Sequence, residues 1–322
     1  MNITAKQQGF SLIELMVALG LGLMLSASVV IVFIQNNRSA TQDEEIARAM
    51  ENGRYVVRTI SREIAMSGFW GKFLDISSAT EDGSVSIGVD CGDGVNPWAM
   101  DLIAMQFLNN VTSATTAAAF DCLPSGNIVA GTDILAVKRV ADSNTVDADL
   151  SANQMYMRTN GVAGIFFLGG ASGTPPAMIG TVTNWAYLPR LYFLRDYSFT
   201  AGDGIPSLCR GFLETSSPPA MTTECLVEGV ENLQIEYGVD NDDDSIADYY
   251  TAAPTAAELF DSVAARIYVL VRSLNQIPNY TNDKAYNLGG VSIAAANDGF
   301  FRRVFSTTVI LRNPANLGGI GA

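Results

Sequence analysis

From Leu15 to Ile34 the chain runs for twenty residues without a charged side chain. At ~1.5 Å per residue, a helix of that length spans the ~30 Å hydrocarbon core of a bilayer. A sequence that opens this way must place its first helix in lipid or against other apolar helices. The run is too long for a secretory signal peptide, and the nine residues ahead of Phe10, MNITAKQQG, carry only Lys6 as a positive charge.

Helical spacing continues beyond the apolar run, and no proline occurs before Pro97. Ile46, Ala49, Met50, Gly53, Val57, Ile60 and Ile64 recur at three- and four-residue steps, which makes one apolar stripe. Between them lie Glu44, Glu45, Arg48, Glu51, Arg54, Arg58, Arg62 and Glu63, read as a charged face, with Glu44 and Arg48 at the supportive i,i+4 spacing. The pattern predicts one helix from about Phe10 to about Met66, ended by Ser67-Gly68. Its first half, residues 10–34, lies in lipid. Its second half, residues 35–70, lays an apolar stripe on something else. Arg54, Arg58 and Arg62 form a basic stripe that either meets an acidic neighbour or is simply solvated.

After Gly71 short runs rich in β-branched and aromatic residues alternate with Gly, Pro, Asn and Asp clusters. Strands are predicted at 102–108, 134–140, 155–158, 165–168, 186–194, 230–237, 265–273 and 302–311. A long helix packed on a mostly antiparallel β-sheet domain, residues 71–322, is an α+β fold. Trp70, Trp98 and Trp185 read as core or loop anchors, and Gly169-Gly170 and Gly318-Gly319 as loop and tail.

Composition removes several function classes. The net charge of -14 gives a nucleic-acid-binding role no electrostatic footing. With no histidine in the 322 residues, the Ser-His-Asp and Cys-His arrangements and most zinc sites are excluded, and the chain is read as not an enzyme. Cys91, Cys122, Cys209 and Cys225 are even in number and lack CxxC spacing, which points to two disulfides in an oxidising compartment. Of the three pairings that four cysteines allow, Cys91 with Cys122 and Cys209 with Cys225 are expected. Each then staples a Gly/Pro/Ser-rich loop between candidate strands.

Gly9-Phe10-Ser11-Leu12-Ile13-Glu14-Leu15 resembles the signal of type IV prepilins and type II secretion pseudopilins. Gly9 has no Cβ, so an extended chain can lie close to a peptidase at the membrane surface. The resemblance implies that residues 1–9 are a leader, and that Phe10 becomes an N-methylated N-terminus. Glu14 is the one ionisable side chain in the lipid-embedded turns, where a charge costs ~2.5–3.5 kcal/mol on insertion scales, so it calls for a partner. In the family that partner is the α-amino group of a neighbouring subunit.

Glu51 to Gly71, ENGRYVVRTISREIAMSGFWG, is similar to the post-membrane helix of PilW-type minor pilins, and Phe301 to Asn313, FRRVFSTTVILRN, to their C-terminal strand. From about Lys72 to Thr222 no resemblance is visible. The resemblance implies a minor pilin that primes pilus assembly near the filament tip. Its implied partners are other minor pilins and pilus subunits, the prepilin peptidase, the inner-membrane assembly platform and a tip adhesin. The implied location is the inner membrane as a single pass with a periplasmic domain, then the pilus at the cell surface. A type II secretion pseudopilin of the J type shares signal and architecture. A membrane-anchored periplasmic hydrolase would need paired carboxylates at a recognisable spacing, which the sequence does not offer.

A last constellation lies in GVDNDDDSIADYY. Asp240, Asp242, Asp244 and Asp248 fall at positions 1, 3, 5 and 9 of an EF-hand-style loop, with the Ile246 carbonyl at position 7. Ser245 stands where that loop has glycine, and Thr251 where it has a bidentate Glu. Two readings stand side by side: a structural calcium turn, and a solvated turn built by Asp and Asn.

Overall fold

The computed structural model describes residues 9, 11–83, 85–92, 97–101, 105–109, 111–112, 120–123, 126–170 and 175–313. Its first element is one helix, α1, Leu12–Met66, 55 residues long. The start falls at Leu12 because Ser11 stands in extended backbone and caps it, its Oγ accepting the Glu14 amide. The end falls at the Ser67-Gly68 pair, where Gly68 takes φ +70°, a left-handed conformation that glycine adopts without a Cβ penalty.

The second half of α1 buries Glu45, Ala49, Gly53, Val56, Ile60, Glu63 and Ile64. Two of these correct the expected charged face. Glu45 and Glu63 lie under the helix, because each finds buried or backbone donors on the domain. Glu45 accepts the Leu274 and Asn275 amides at 3.0 and 3.1 Å and the Asn275 side-chain amide at 2.8 Å. Glu63 accepts Nη2 and Nε of Arg139 at 2.9 and 3.0 Å, a bidentate pair, and is also met by Arg190.

Fourteen strands follow among the described residues. The larger sheet has eight: β1 Thr80–Glu81, β2 Met105–Leu108, β3 Ile134–Val140, β4 Met155–Thr159, β5 Gly164–Leu168, β6 Thr183–Arg195, β7 Ser207–Glu214 and β8 Ala220–Glu228. Strand β6, 13 residues long, joins them: it pairs with β4 near its start and with β3 and β7 further on, each time antiparallel. Only β1 with β5 is parallel. The second sheet has the order β10-β9-β11-β14, from β9 Val230–Val239, β10 Tyr249–Thr251, β11 Ser262–Arg272 and β14 Arg302–Ile310, with a one-turn helix α2, Ala256–Phe260, before β11. A ribbon of β12 Tyr286–Leu288 and β13 Val291–Ile293 completes the strands.

Period-two alternation sorts the larger sheet into two faces. Leu135, Val137, Tyr192, Leu194 and Leu208 point to the main core, where they meet Val56, Ile60 and Ile64 of α1 and the inner residues Leu233, Ile235, Tyr237, Ile267 and Val269 of β9 and β11. Ile134, Ala136, Leu191, Phe193 and Cys209 point the other way, onto a layer holding Cys91, Trp98, Val111 and Phe120. A third cluster places Trp70 and Phe73, just past α1, on Met155, Met157, Phe166, Trp185 and Tyr187. The three tryptophans are therefore buried anchors.

Cys91 is bonded to Cys122 and Cys209 to Cys225. The second bond encloses a Ser/Pro turn, as expected, and most of the segment it closes is a strand hairpin. Cys209 and Cys225 are opposite one another in the antiparallel β7–β8 ladder. The expected strand at 102–108 is described from Met105, and its first three residues lie outside the described residues.

Candidate functional site

The first 23 residues of α1, Leu12 to Ile34, are not buried by any part of the described domain. Every one is exposed, and the large apolar side chains among them, from Leu12 to Ile34, have no cover from the domain. The helix is long and apolar enough to cross a membrane. The polar groups within this stretch are satisfied internally: Ser26 Oγ donates to the Gly22 carbonyl at 2.8 Å and Ser28 Oγ to the Met24 carbonyl at 2.9 Å. Such back-bonding leaves no unmet hydroxyl donor in an apolar medium.

At the head of this stretch the Ser11–Glu14 pair closes a capping box. Glu14 Oε2 accepts the Ser11 amide at 3.0 Å and the Ser11 hydroxyl at 3.1 Å, and the Glu14 amide returns a bond to Ser11 Oγ at 3.2 Å. Within one chain, then, Glu14 is held by the first helical turn. Ser11 has a structural part here that the motif alone did not assign, although Ser followed three residues later by Glu is itself a helix-start signature. Gly9 is exposed, with no atom within 4 Å of where a Cβ would stand, so this backbone is open to approach. Phe10 lies outside the described residues.

The aspartate loop follows β9. The structure brings Asp240, Asp242 and Asp244 together, with one carboxylate oxygen of each within 4.8 Å of the others. Asp240 is buried and holds the turn: Oδ1 accepts the Asp242 and Asp244 amides at 3.2 and 3.3 Å, and Oδ2 the Ser245 amide at 2.7 Å. Asp248 is outside the group and instead accepts the Asn241 amide at 2.8 Å, while Ile246 is exposed and gives its amide to Asp244. Ser245 takes φ +68° at the position where an EF-hand loop has glycine.

Residues 4–30 match the prokaryotic N-terminal methylation motif. With that motif at the head of an exposed apolar helix whose far half lies on an antiparallel domain, the protein is of the type IV pilin class. Residues 192–313, from within β6 to just past β14, match the family described as Type IV Pilus-assembly protein W. The two matches make the chain a type IV pilus minor pilin of the PilW type. The second match takes in the last thirty or so residues of the stretch from Lys72 to Thr222 in which no resemblance is visible, and with them much of the β7–β8 hairpin. No curated protein matches the chain. A type IV-like pilin from Thermus thermophilus is similar at 11% identity and a TM-score of 0.37, over 83% of this chain and 97% of that one.

Proposed function

We propose that this minor pilin acts with other minor pilins to prime pilus assembly near the filament tip, as a structural subunit and not a catalyst. Its first helical half anchors it in the inner membrane with the sheet domain on the periplasmic side. A prepilin peptidase cleaves between Gly9 and Phe10, and the new N-terminus is methylated. The assembly platform then lifts α1 out of lipid into the filament, where apolar helix packing replaces the lipid contacts.

The observation that carries this reading is the division of one continuous helix at about residue 44: every described residue before it is exposed, and after it one face, from Glu45 to Ile64, is buried on the domain while the opposite face stays exposed. A helix used only as a core element would be covered along its length. One used only as an anchor would not continue into the core.

The test is mass spectrometry of the protein recovered from filament-forming cells. The expected mass is that of a chain beginning at N-methylated Phe10, with Gly9→Val accumulating as an uncleaved membrane species. An intact leader in the wild type would overturn the reading. Deletion that abolishes protein export while leaving pili in place would assign the chain to a type II secretion system instead.

A further inference from the structure

Where α1 passes over β3 and β6, a cavity of about 430 Å³ opens with four guanidinium groups around it: Arg58 and Arg62 from the helix, Arg139 from β3 and Arg190 from β6. Two carboxylates face them, Glu63 and Asp142. In a protein of net charge -14, four cations against two anions make a local reversal of sign.

The two carboxylates are already engaged. Glu63, buried in the lining, takes Nε and Nη2 of Arg139 and one nitrogen of Arg190. Asp142 is taken by Arg62 at 2.7 Å. Arg139 is buried and engages all three of its nitrogens, Nε and Nη2 on Glu63 and Nη1 on the Val140 carbonyl at 3.1 Å. Arg58 has no acceptor among the described residues, and Arg190 none beyond Glu63. Two cations with donors to spare therefore face one space from two different elements. Guanidinium forks match planar carboxylates in geometry, and a charge-assisted bond of this kind is stronger than a neutral one.

The position along α1 narrows the source of such an anion. Arg58 lies twenty-four residues past Ile34, which at ~1.5 Å per residue is roughly 36 Å along the helix. Headgroups extend only about 5–8 Å beyond the hydrocarbon core. A lipid phosphate therefore does not reach this cavity from the membrane in which the helix stands. Tyr55 and Leu188 add apolar walls to the lining, and a volume in the ordinary range of ligand sites holds more than a lone ion.

We propose that this cavity receives an acidic segment of a neighbouring pilin subunit, one carboxylate of which bridges Arg58 and Arg190. The proposal rests on the reading of the chain as a pilus subunit and supplies the chemistry of one contact. Glu63 is then a positioning residue: it fixes Arg139 and Arg190 so that the free face of Arg190 is turned to the incoming acid.

The test uses the full chain in neutral detergent, titrated at low ionic strength with hexaglutamate, hexaglutamine and inorganic phosphate. Hexaglutamate should bind and hexaglutamine should not. Arg58→Glu should weaken hexaglutamate about tenfold or more, the loss expected for one charge-assisted contact. The same charge change at exposed Lys284, outside the cavity, should leave binding unchanged. Arg58 is itself exposed, so its replacement leaves the fold intact. Equal binding by Arg58→Glu, equal binding of hexaglutamine, or saturation by phosphate at the same concentration would overturn the proposal. In cells, a photo-crosslinker in place of Thr59 should join an Asp- or Glu-containing peptide of another pilin-like subunit, identified by mass spectrometry. Joining to lipid alone, or to a segment without acids, would also overturn it. Leader removal in the same cells is read separately. Its failure in the wild type would count against the pilus reading and leave the titration standing.

Discussion

Gly53 of α1 and Phe305 of β14 share a space that admits no further atom: a Cβ at position 53 would lie 2.1 Å from Phe305 Cε2 and 2.3 Å from Cδ2. The helix is thus lowered onto the last strand through a glycine, and the phenylalanine ring fills the notch. Glycine in a helix interior is unfavourable on propensity alone, by about 1 kcal/mol against alanine. Here packing decides, and it ties the two segments most remote in sequence, the first helix and the final strand.

Gly53→Ala should therefore destabilise the protein by about 1–2 kcal/mol, because displacing the ring costs more than the helix gains. The measurement is denaturant unfolding of the full chain in detergent. Phe305→Leu in the same chain should recover part of the loss, a coupling that a double-mutant cycle reads directly. A more stable Gly53→Ala would mean that the contact has slack.

The Glu63–Arg139–Arg190 cluster sets an acid limit on stability. Burial by itself pushes the Glu63 carboxyl up, and hydrogen bonds and charge from Arg139 and Arg190 outweigh it, so the group ends below the ordinary glutamate value. The folded value lies below the unfolded one. The cluster's contribution is thus whole above the ordinary glutamate value of about 4.3, and it is lost as pH falls through the folded value. Glu63→Gln leaves Arg139 buried with an uncompensated charge and should cost about 3–5 kcal/mol at neutral pH. The variant should also lack this part of the wild type's loss of stability below about pH 4.3. Superimposable pH slopes for the two proteins would show that Glu63 is not the group that titrates.

Much of this fold was legible where a residue's environment is set by its neighbours in sequence. Strand β3 opens on the apolar run Ile134–Val137 and falls at 134–140 as expected, although it carries Lys138 and Arg139. The helix stop at Ser67-Gly68 needs only the local requirement for positive φ. What was misread depends on distant partners. Glu45 and Glu63 share the steps of the buried stripe, at 45, 49, 53, 56, 60 and 63, and that spacing alone would have placed them beneath the helix. Their charge argued otherwise until Asn275 and Arg139 supplied partners 230 and 76 residues away. Lys138 is buried for a similar reason: its ammonium donates to the Asp101 carbonyl and sits 4.5 Å above the Trp98 ring. Strands β7 and β8 escaped notice because SLCRGFLE and AMTTECLVE are broken by polar residues and flank a Ser/Pro turn. Of the four carboxylates expected as calcium ligands, Asp240, Asp242 and Asp244 converge, while Asp248 lies outside the group and accepts the Asn241 amide.

Glu14→Ala separates membrane insertion from assembly. The side chain is the one ionisable group between Leu12 and Ile34, and among the described residues it is met by the Ser11 cap alone. Its removal should leave insertion normal or improved and leader cleavage intact, because insertion no longer carries the charge. If Glu14 pairs with a neighbouring subunit's α-amino group, as the prepilin resemblance implies, incorporation into sheared filaments should fall severalfold. Equal recovery of wild type and variant from sheared filaments would remove Glu14 from the assembly contact.

Calcium binding at the loop after β9 is the last proposal to be tested. Asp240, Asp242 and Asp244 crowd three like charges within 4.8 Å, and a hard divalent cation with oxygen ligands at ~2.3–2.6 Å would relieve that repulsion. The backbone amides that Asp240 accepts offset part of it already, and they make the turn in the absence of a cation. A weak site follows from this competition, on the order of 10⁻⁴–10⁻³ M, as in extracellular modules. Calcium at ~10 mM should raise the unfolding midpoint of the full chain by a few degrees relative to chelator, as binding to the folded state alone requires. Asp240→Ala is a poor probe because it removes the acceptor that closes the turn. Asp242→Ala and Asp244→Ala are the informative variants, and each should abolish the calcium-dependent shift while sparing the fold. Asp243→Asn should retain it, since Asp243 is not among the converging carboxylates. A midpoint that ignores both calcium and chelator would identify the segment as a turn held by Asp240 and nothing more.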